Sequence, residues 1–335
     1  MARARDRPRP LPDRLVEDLV DAGSREHYAD AALYDYEYRR RRADVTFYRE
    51  LARRRGADSI LELGAGSGRV TVPLARDGRS VVALDQSEAM LAGLRARTAR
   101  LPGPVAQRIT PVIGDLRTFT IAGGRGAKTT ARFPLAIAAF NVLEHLYTRG
   151  EVTACLQRIA AHLAPGAVFA FDVQLPDFAW LLRDPNKRWA KTRFTDPTTG
   201  RAMVYSTNHD YDPVSQIALI RLYYEPADEP GAGVPTMAAA GMAATASPAP
   251  ARQGAPTHGV DRGRAPRRAS ATRVVKLSQR KFFPAELEAL VAHAGFRVIE
   301  RYGDFSFRPL DGAAESQVLV CEPVAKRPRK RPISR

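Results

Sequence analysis

One decapeptide, Leu61–Val70 (LELGAGSGRV), constrains this chain more than any other stretch. A short apolar run, SILELG (59–64), leads into Gly64, Gly66 and Gly68, spaced at every second residue. Glycines at such a place permit a tight turn and let a ligand approach the backbone. A helix-like segment runs from Arg69 to about Asp77. The opening end of a helix favours negatively charged groups. A buried strand, a tight turn and a helix are therefore expected here. A plain strand–helix connection would use the same glycines, so the turn alone does not define a function.

The neighbouring segments repeat the alternation. Strand-like runs SVVALD (80–85), ITPVIGD (109–115), FPLAIAAF (133–140) and AVFAFDV (167–173) are separated by helix-like stretches at 87–100 and 150–166. Residues 39–55 also read as a helix, with Val45, Tyr48 and Leu51 on one face. Buried runs alternating with amphipathic helices predict a doubly wound, Rossmann-like α/β sheet covered on both faces. The last part differs. Two or three strands (202–209, 215–225, 272–283) form an expected antiparallel meander, with a turn at Asp212–Pro213. A helix at 284–296 and strands at 297–305 and 316–322 follow.

Charge is distributed unevenly. The 335 residues hold 52 Lys/Arg and 36 Asp/Glu, a formal net charge of +16. Residues 1–14, 226–272 and 326–335 carry net +3, +2 and +6, which is eleven of the sixteen. The 226–272 stretch is dominated by Ala, Pro and Gly and cannot bury enough surface to offset its ordering entropy. We expect a disordered basic tail at 1–14, a folded domain at 15–325 with a disordered insertion at 226–272, and a basic tail at 326–335. Nucleic acid is a conceivable but not favoured partner, because most of the basic charge lies in those segments. Two cysteines, Cys155 and Cys321, are too few for a disulfide framework or a cysteine-rich zinc site. No apolar run spans a membrane, and the N-terminal basic stretch has no apolar core behind it. A reduced, cytoplasmic protein with no metal is the expectation.

Three acids accompany the glycine turn. Glu62 stands two residues before Gly64, Asp85 ends the second strand, and Asp115 ends the third. All three fall at the sheet edge where open α/β folds bind ligands, although an acid there can also be a helix N-cap. A dinucleotide fingerprint, GxGxxG, would need glycine at position 69, where this chain has Arg69. GxGxG after an acid resembles motif I of the class I S-adenosylmethionine-dependent methyltransferases. The resemblance continues through VVALDQSEAML (81–91), VIGDLRTF (112–119), AIAAFNVLEHL (136–146) and HLAPGAVFAFDV (162–173). It is greatest toward small-molecule and natural-product N- or O-methyltransferases with a meander after the fifth strand.

The resemblance implies a mostly parallel sheet whose last strand is antiparallel, and S-adenosylmethionine as cofactor. It implies that Glu62, Gly64, Ala65, Gly66 and Gly68 hold the methionine part. Asp85 would bind the ribose, with Gln86 and Met90 beside the adenosine. Asp115 and Leu116 would bind the adenine, and Asn141 and Val142 would line the methyl end. His145 is the candidate catalytic residue, with Asp172 and His209 as other candidate bases. Tyr34 and Tyr38, in a tyrosine cluster with Tyr28 and Tyr36, and Asp172 are candidate substrate contacts. The expected reaction is direct methyl transfer to N or O of a small-molecule acceptor. Alternatives are an RNA- or protein-directed methyltransferase docked by its basic tails, and a non-catalytic binding protein on the same fold. No DPPY or NPPY follows the fourth strand and neither cysteine follows a proline, which disfavours methylation of nucleobases.

Overall fold

The structure is a computed structural model and describes residues 13–123, 129–227 and 272–324. Helices α1 (Asp13–Arg25), α2 (Ala31–Tyr38) and α3 (Ala43–Arg54) come first, with a 3-10 turn at Glu26–Tyr28. Then follow β1 (Ser59–Leu63), α4 (Thr71–Arg76), β2 (Ser80–Asp85), α5 (Glu88–Thr98), α6 (Gly103–Ala106) and β3 (Ile109–Ile113). Next come β4 (Phe133–Ala138), a 3-10 turn at Val142–His145, α7 (Arg149–His162) and β5 (Leu163–Gln174). The chain continues through α8 (Phe178–Leu181), β6 (Trp189–Thr195), β7 (Ala202–Asp212), β8 (Ile217–Pro226) and β9 (Arg273–Arg280). Helix α9 (Pro284–His293) and strands β10 (Phe296–Tyr302) and β11 (Ser316–Pro323) end it.

Seven strands form one sheet in the order β10-β11-β5-β4-β1-β2-β3. Strands β1 to β5 are parallel, and β11 runs antiparallel to both β5 and β10. The expected doubly wound sheet is therefore present, with its last strand reversed. Both faces are covered because the strands are apolar on both faces. Phe169 and Phe171 pack toward Leu156 of α7 and Leu287 of α9, while Ile60 and Leu135 pack with Phe47 and Tyr48 of α3. Strand order reverses between β1 and β4. That switch point leaves a crevice at the carboxyl edge of the sheet, where a ligand can enter without breaking a ladder.

The meander is a separate antiparallel sheet, β6-β7-β8-β9. It has four strands where two or three were expected. The additional strand, β6, buries only Thr192 and Phe194 and interleaves them with Lys191 and Arg193, so its apolar signal is weak. Tyr205, Leu222 and Tyr224 of this sheet pack against Leu33 of α2 and Trp180 of α8. Tyr224 lies opposite Arg273 in the β8–β9 ladder, so the ends of the Ala/Pro/Gly-rich stretch are held side by side. Most of the expected tails (1–14, 326–335) and insertion (226–272) falls on residues 1–12, 228–271 and 325–335, which lie outside the described residues; of their edges, Asp13 and Arg14 belong to α1 and Pro226 to β8.

The segment 13–38 fastens the meander to the large sheet. Helix α1 lies on β9, and a Cβ at Gly23 would stand 2.5 Å from the Ser278 nitrogen. The Ser278 hydroxyl donates to the Val20 carbonyl at 2.8 Å. Asp30 caps α2 by accepting from the Leu33 nitrogen at 3.0 Å and also takes Arg273 at 3.1 Å. Among the described residues no helix is long and apolar enough to cross a membrane, and no group of three His, Cys, Asp or Glu is placed to hold a metal ion.

Candidate functional site

The crevice between β1 and β4 opens into a cavity of about 360 Å³. Its floor is Gly64 and Gly66 after β1, Asp85, Gln86 and Ser87 at the end of β2, and Leu116 after β3. Ala139, Phe140, Val142 and His145 after β4 form one wall, and Tyr28, Ala29 and Tyr34 form the roof. A recess of about 20 Å³ shares Tyr34, Gly64, Gly66, Ala139 and Phe140 and adds Glu62, Ala65, Ser67 and Arg69. Five elements distant in sequence thus meet around one space.

The glycines are required by the backbone they adopt. Gly64 and Gly66 have φ of +65° and +57°. A Cβ at Gly64 would stand 2.5 Å from Val142 Cγ2, whereas a Cβ at Gly66 would meet nothing within 4 Å. The Gly66 backbone therefore faces open space, which suits close approach of a ligand. Its N–H donates to Asp85 Oδ2 at 2.7 Å, and the Ser87 N–H donates to Oδ1 at 2.8 Å. Asp85 is not the cap of α5. Ser87 is, accepting from the Met90 nitrogen at 3.3 Å. Burial pushes the Asp85 carboxyl above its ordinary range, opposed by those backbone donors.

Glu62 is buried and accepts from the Thr71 hydroxyl at 2.6 Å. Among the described residues that is the one hydrogen bond of its carboxyl, on Oε2, and Glu62 borders the small recess. Burial raises its pKa to about 7. A carboxyl poised there is half-ionised near neutrality and gains from an arriving cation.

His145 faces the cavity from the 3-10 turn after β4. Its Nε2 lies 2.7 Å from the Tyr28 hydroxyl and its Nδ1 lies 3.4 Å from the Tyr147 hydroxyl. Tyr147 in turn donates to the Ser278 carbonyl at 3.2 Å. That order of donors assigns the proton to Nδ1 and leaves Nε2 to accept from Tyr28. Burial, aided by the charge of Lys281, lowers the His145 pKa to about 4, so the imidazole is neutral at ordinary pH. The turn itself is pinned by a buried ion pair. Lys281 Nζ donates to Glu144 Oε2 at 2.8 Å, to Gln174 Oε1 at 2.8 Å and to Gln279 Oε1 at 3.0 Å.

The roof is latched from two sides. The Ser87 hydroxyl donates to the Tyr28 carbonyl at 3.0 Å. Asp35 of α2 accepts from the Ser67 hydroxyl in the glycine turn and from Arg97 of α5. Tyr28 and Tyr34 are thereby held over the glycine turn and the end of β2.

Other expected residues lie elsewhere. Asp172, expected at the substrate, is fully enclosed. It accepts from the Tyr48 hydroxyl at 2.6 Å, the Phe140 nitrogen at 2.8 Å and the Asn141 nitrogen at 3.2 Å. Phe140 and Asn141 have φ of +72° and +61°, so this carboxylate holds a strained turn rather than a ligand. Asn141 serves that turn and does not border the cavity, while Val142 does. Tyr38 points away, toward the His27 ring nitrogen at 3.2 Å. Met90 is fully buried, and Gly68 packs so closely that a Cβ would stand 2.4 Å from Leu94 Cδ1. Asp115 borders neither space. Its carboxylate is taken by Arg117, which also reaches Glu151 at 2.6 Å, and only the adjacent Leu116 enters the lining. His209 stacks on Trp180 at 3.8 Å and spends Nε2 on the Trp180 carbonyl at 2.9 Å. Conversely, Ser87, Ala139 and Phe140 line the cavity without having been singled out, and Tyr28 stood out only as one of four clustered tyrosines.

Residues 61–169 match a family model described as a methyltransferase domain. A dTDP-3-amino-3,6-dideoxy-alpha-D-glucopyranose N,N-dimethyltransferase of Streptomyces fradiae is 32% identical over 165 residues, 46% of this chain. The match spans 57% of that relative's length. Among solved structures, the CcbJ methyltransferase of Streptomyces caelestis superposes with a TM-score of 0.65 at 22% identity, covering 89% of this chain and 98% of that one. An S-adenosylmethionine-dependent methyltransferase of Clostridium acetobutylicum ATCC 824 gives 0.60 at 13% identity, covering 87% and 96%. At those identities the two structures speak to the fold. The glycine turn, Asp85 and the turn after β4 all lie inside the stretch that matches the methyltransferase-domain model, and the fold around them is that of the methyltransferases.

Proposed function

We propose that this chain transfers the methyl group of S-adenosylmethionine to an amine nitrogen of a small molecule of the amino-sugar class. The observation that carries the reading is the cavity itself: the glycine turn and Asp85 share one lining with a neutral Tyr28–His145 pair. Glu62 and the turn Gly64–Gly66 would hold the amino-acid part of the cofactor, Asp85 and Gln86 the ribose, and Leu116 the adenine. Val142 and His145 would stand at the methyl end. When bound, the cofactor supplies a methyl group already activated by its sulfonium.

What the chain must add is alignment and exclusion of water. The roof formed by Tyr28 and Tyr34 covers the space. The Tyr28 proton is committed to His145, so its oxygen lone pairs are free to accept an amine N–H and aim the nitrogen. A hydroxyl acceptor is disfavoured by proton affinity. An imidazole with a pKa of about 4 cannot activate an alcohol. An amine with a pKa of about 8 reaches the cavity partly as free base and needs no base from the protein. The N,N-dimethyltransferase relative supports the amino-sugar class.

Incubation with methyl-labelled cofactor and a panel of amino sugars tests this. The expected product carries label on nitrogen, and Tyr28→Phe lowers kcat by about ten- to a hundredfold while cofactor affinity is kept. Label on oxygen, or no transfer to any amine, overturns the reading.

Glu62 makes cofactor binding depend on pH. A cationic ammonium beside it binds the ionised carboxyl, so affinity rises as pH climbs through the Glu62 pKa of about 7. Calorimetry between about pH 6 and pH 7.5 is expected to show roughly five- to tenfold tighter binding at the upper end, before a free α-amine begins to lose its own charge. Glu62→Gln is expected to flatten that dependence.

A further inference from the structure

Behind the roof helix, on the outer side of α3, α4 and α5, lies a groove of about 590 Å³ that the cofactor cavity does not include. Seven arginines and one carboxylate line it. Three of the arginines are matched: Arg49 pairs with Asp77, Arg69 with Asp44, and Arg97 with Asp35. Four are not balanced in this way. Arg39 lies over the Tyr36 ring at 3.7 Å. Arg41 is 3.7 Å from an Asp44 oxygen that Arg69 already holds, and its Nε is buried without a hydrogen-bond acceptor. Among the described residues, Arg42 and Arg76 face no carboxylate within ion-pair distance.

Guanidinium groups crowded without counter-charges repel one another, and a cleft with apolar walls focuses that field. Val45, Val72 and Pro73 supply such walls. Planar guanidinium forks match the oxygens of phosphate. We propose that this groove is a second ligand site, separate from the cofactor cavity, that takes a small di- or triphosphate. A longer phosphodiester strand fits less well. In the adjoining groove, which shares Arg41 and Arg42, Asp304, Asp311 and Glu315 nearly balance the four arginines of its lining, so a strand running out of the site would gain little there. A phosphate ligand would join the turn after α2 to α4 and α5. It would thus add a third latch to the helix that carries Tyr34.

The test is calorimetric titration of the full chain with sodium tripolyphosphate, a readout that involves neither cofactor nor acceptor. Saturable binding that weakens with added salt is expected. R42Q/R76Q is expected to lower the affinity about tenfold or more, the loss of one or two charge-assisted contacts. K330Q/R331Q, in the basic C-terminal stretch, should leave it unchanged. Arg42 and Arg76 are exposed, so an unchanged unfolding midpoint of the free variant is expected; if it falls, the single substitutions replace the pair. Absence of saturable binding, equal affinity in R42Q/R76Q, or loss in K330Q/R331Q overturns the proposal. So does tighter binding of a single-stranded RNA oligonucleotide through Arg42 and Arg76.

Discussion

Replacing Lys281 with methionine is expected to destabilise the fold by about 3–5 kcal/mol, the scale of breaking a buried ion pair from one side. Lys281 and Glu144 are 1% and 0% exposed in their side chains. Removing the ammonium leaves the Glu144 carboxylate without its cation, although the Gln174 N–H still donates to Oε1 at 2.9 Å. Burial already raises the Glu144 pKa, with Lys281 the largest opposing influence. The carboxyl should therefore take up a proton in the variant, and the loss should shrink as pH falls. The double variant K281M/E144L separates the pair's net worth from the cost of the orphaned charge. It is expected to recover most of the lost stability, since a well-packed apolar pair often equals a buried ion pair. Chemical denaturation of the three proteins measures all of this. A Lys281→Met loss below about 1 kcal/mol would mean that water reaches Glu144, against the burial described. The pair also sits one residue from His145, so the single variant should blur the wall of the cavity as well as weaken the core.

The Lys281–Glu144 pair leaves no mark in the local sequence. A lysine beside Arg280 in the strand-like run 272–283 reads as a solvent residue, and its partner stands 137 positions earlier. Long-range pairing leaves no local pattern. The large sheet was legible because its strands are buried on both faces and its glycines and helices punctuate them at regular intervals. Strand β6 was not, since alternating Lys191 and Arg193 cancel the apolar signal of Thr192 and Phe194. Acids at strand ends carry a real but ambiguous signal. Asp85, Asp115 and Asp172 all follow the same positional rule, yet one faces the cavity, one is taken by Arg117, and one holds the strained turn at Phe140 and Asn141. Sequence position sets which edge of the sheet a carboxylate occupies. Its neighbours in space decide whether any lone pair is left for a ligand.

Asp85→Ala puts that distinction to use. It is expected to weaken S-adenosylmethionine binding by about 1.5–3 kcal/mol, or roughly ten- to a hundred-and-fifty-fold, the scale of hydrogen bonds to a charged group. Two contributions are combined in the loss. The carboxylate fixes the glycine turn through the Gly66 N–H and is itself exposed to the cavity. Asp85→Asn divides them, because the amide oxygen can still accept one backbone N–H while the charge and one acceptor are lost. If the role toward ligand dominates, Asn should resemble Ala in cofactor affinity yet resemble wild type in thermal unfolding. If Asp85 chiefly braces the turn, Asn should restore affinity and only Ala should lose it. A purely structural carboxylate would lower the unfolding midpoint in Ala with cofactor affinity untouched. That outcome would remove Asp85 from the binding site, and with it the anchor of the orientation proposed for the cofactor. Ser87 still caps α5 in both variants, and because its own N–H is held by Asp85 Oδ1 in the wild type, the unfolding midpoint also registers any loosening of that helix start.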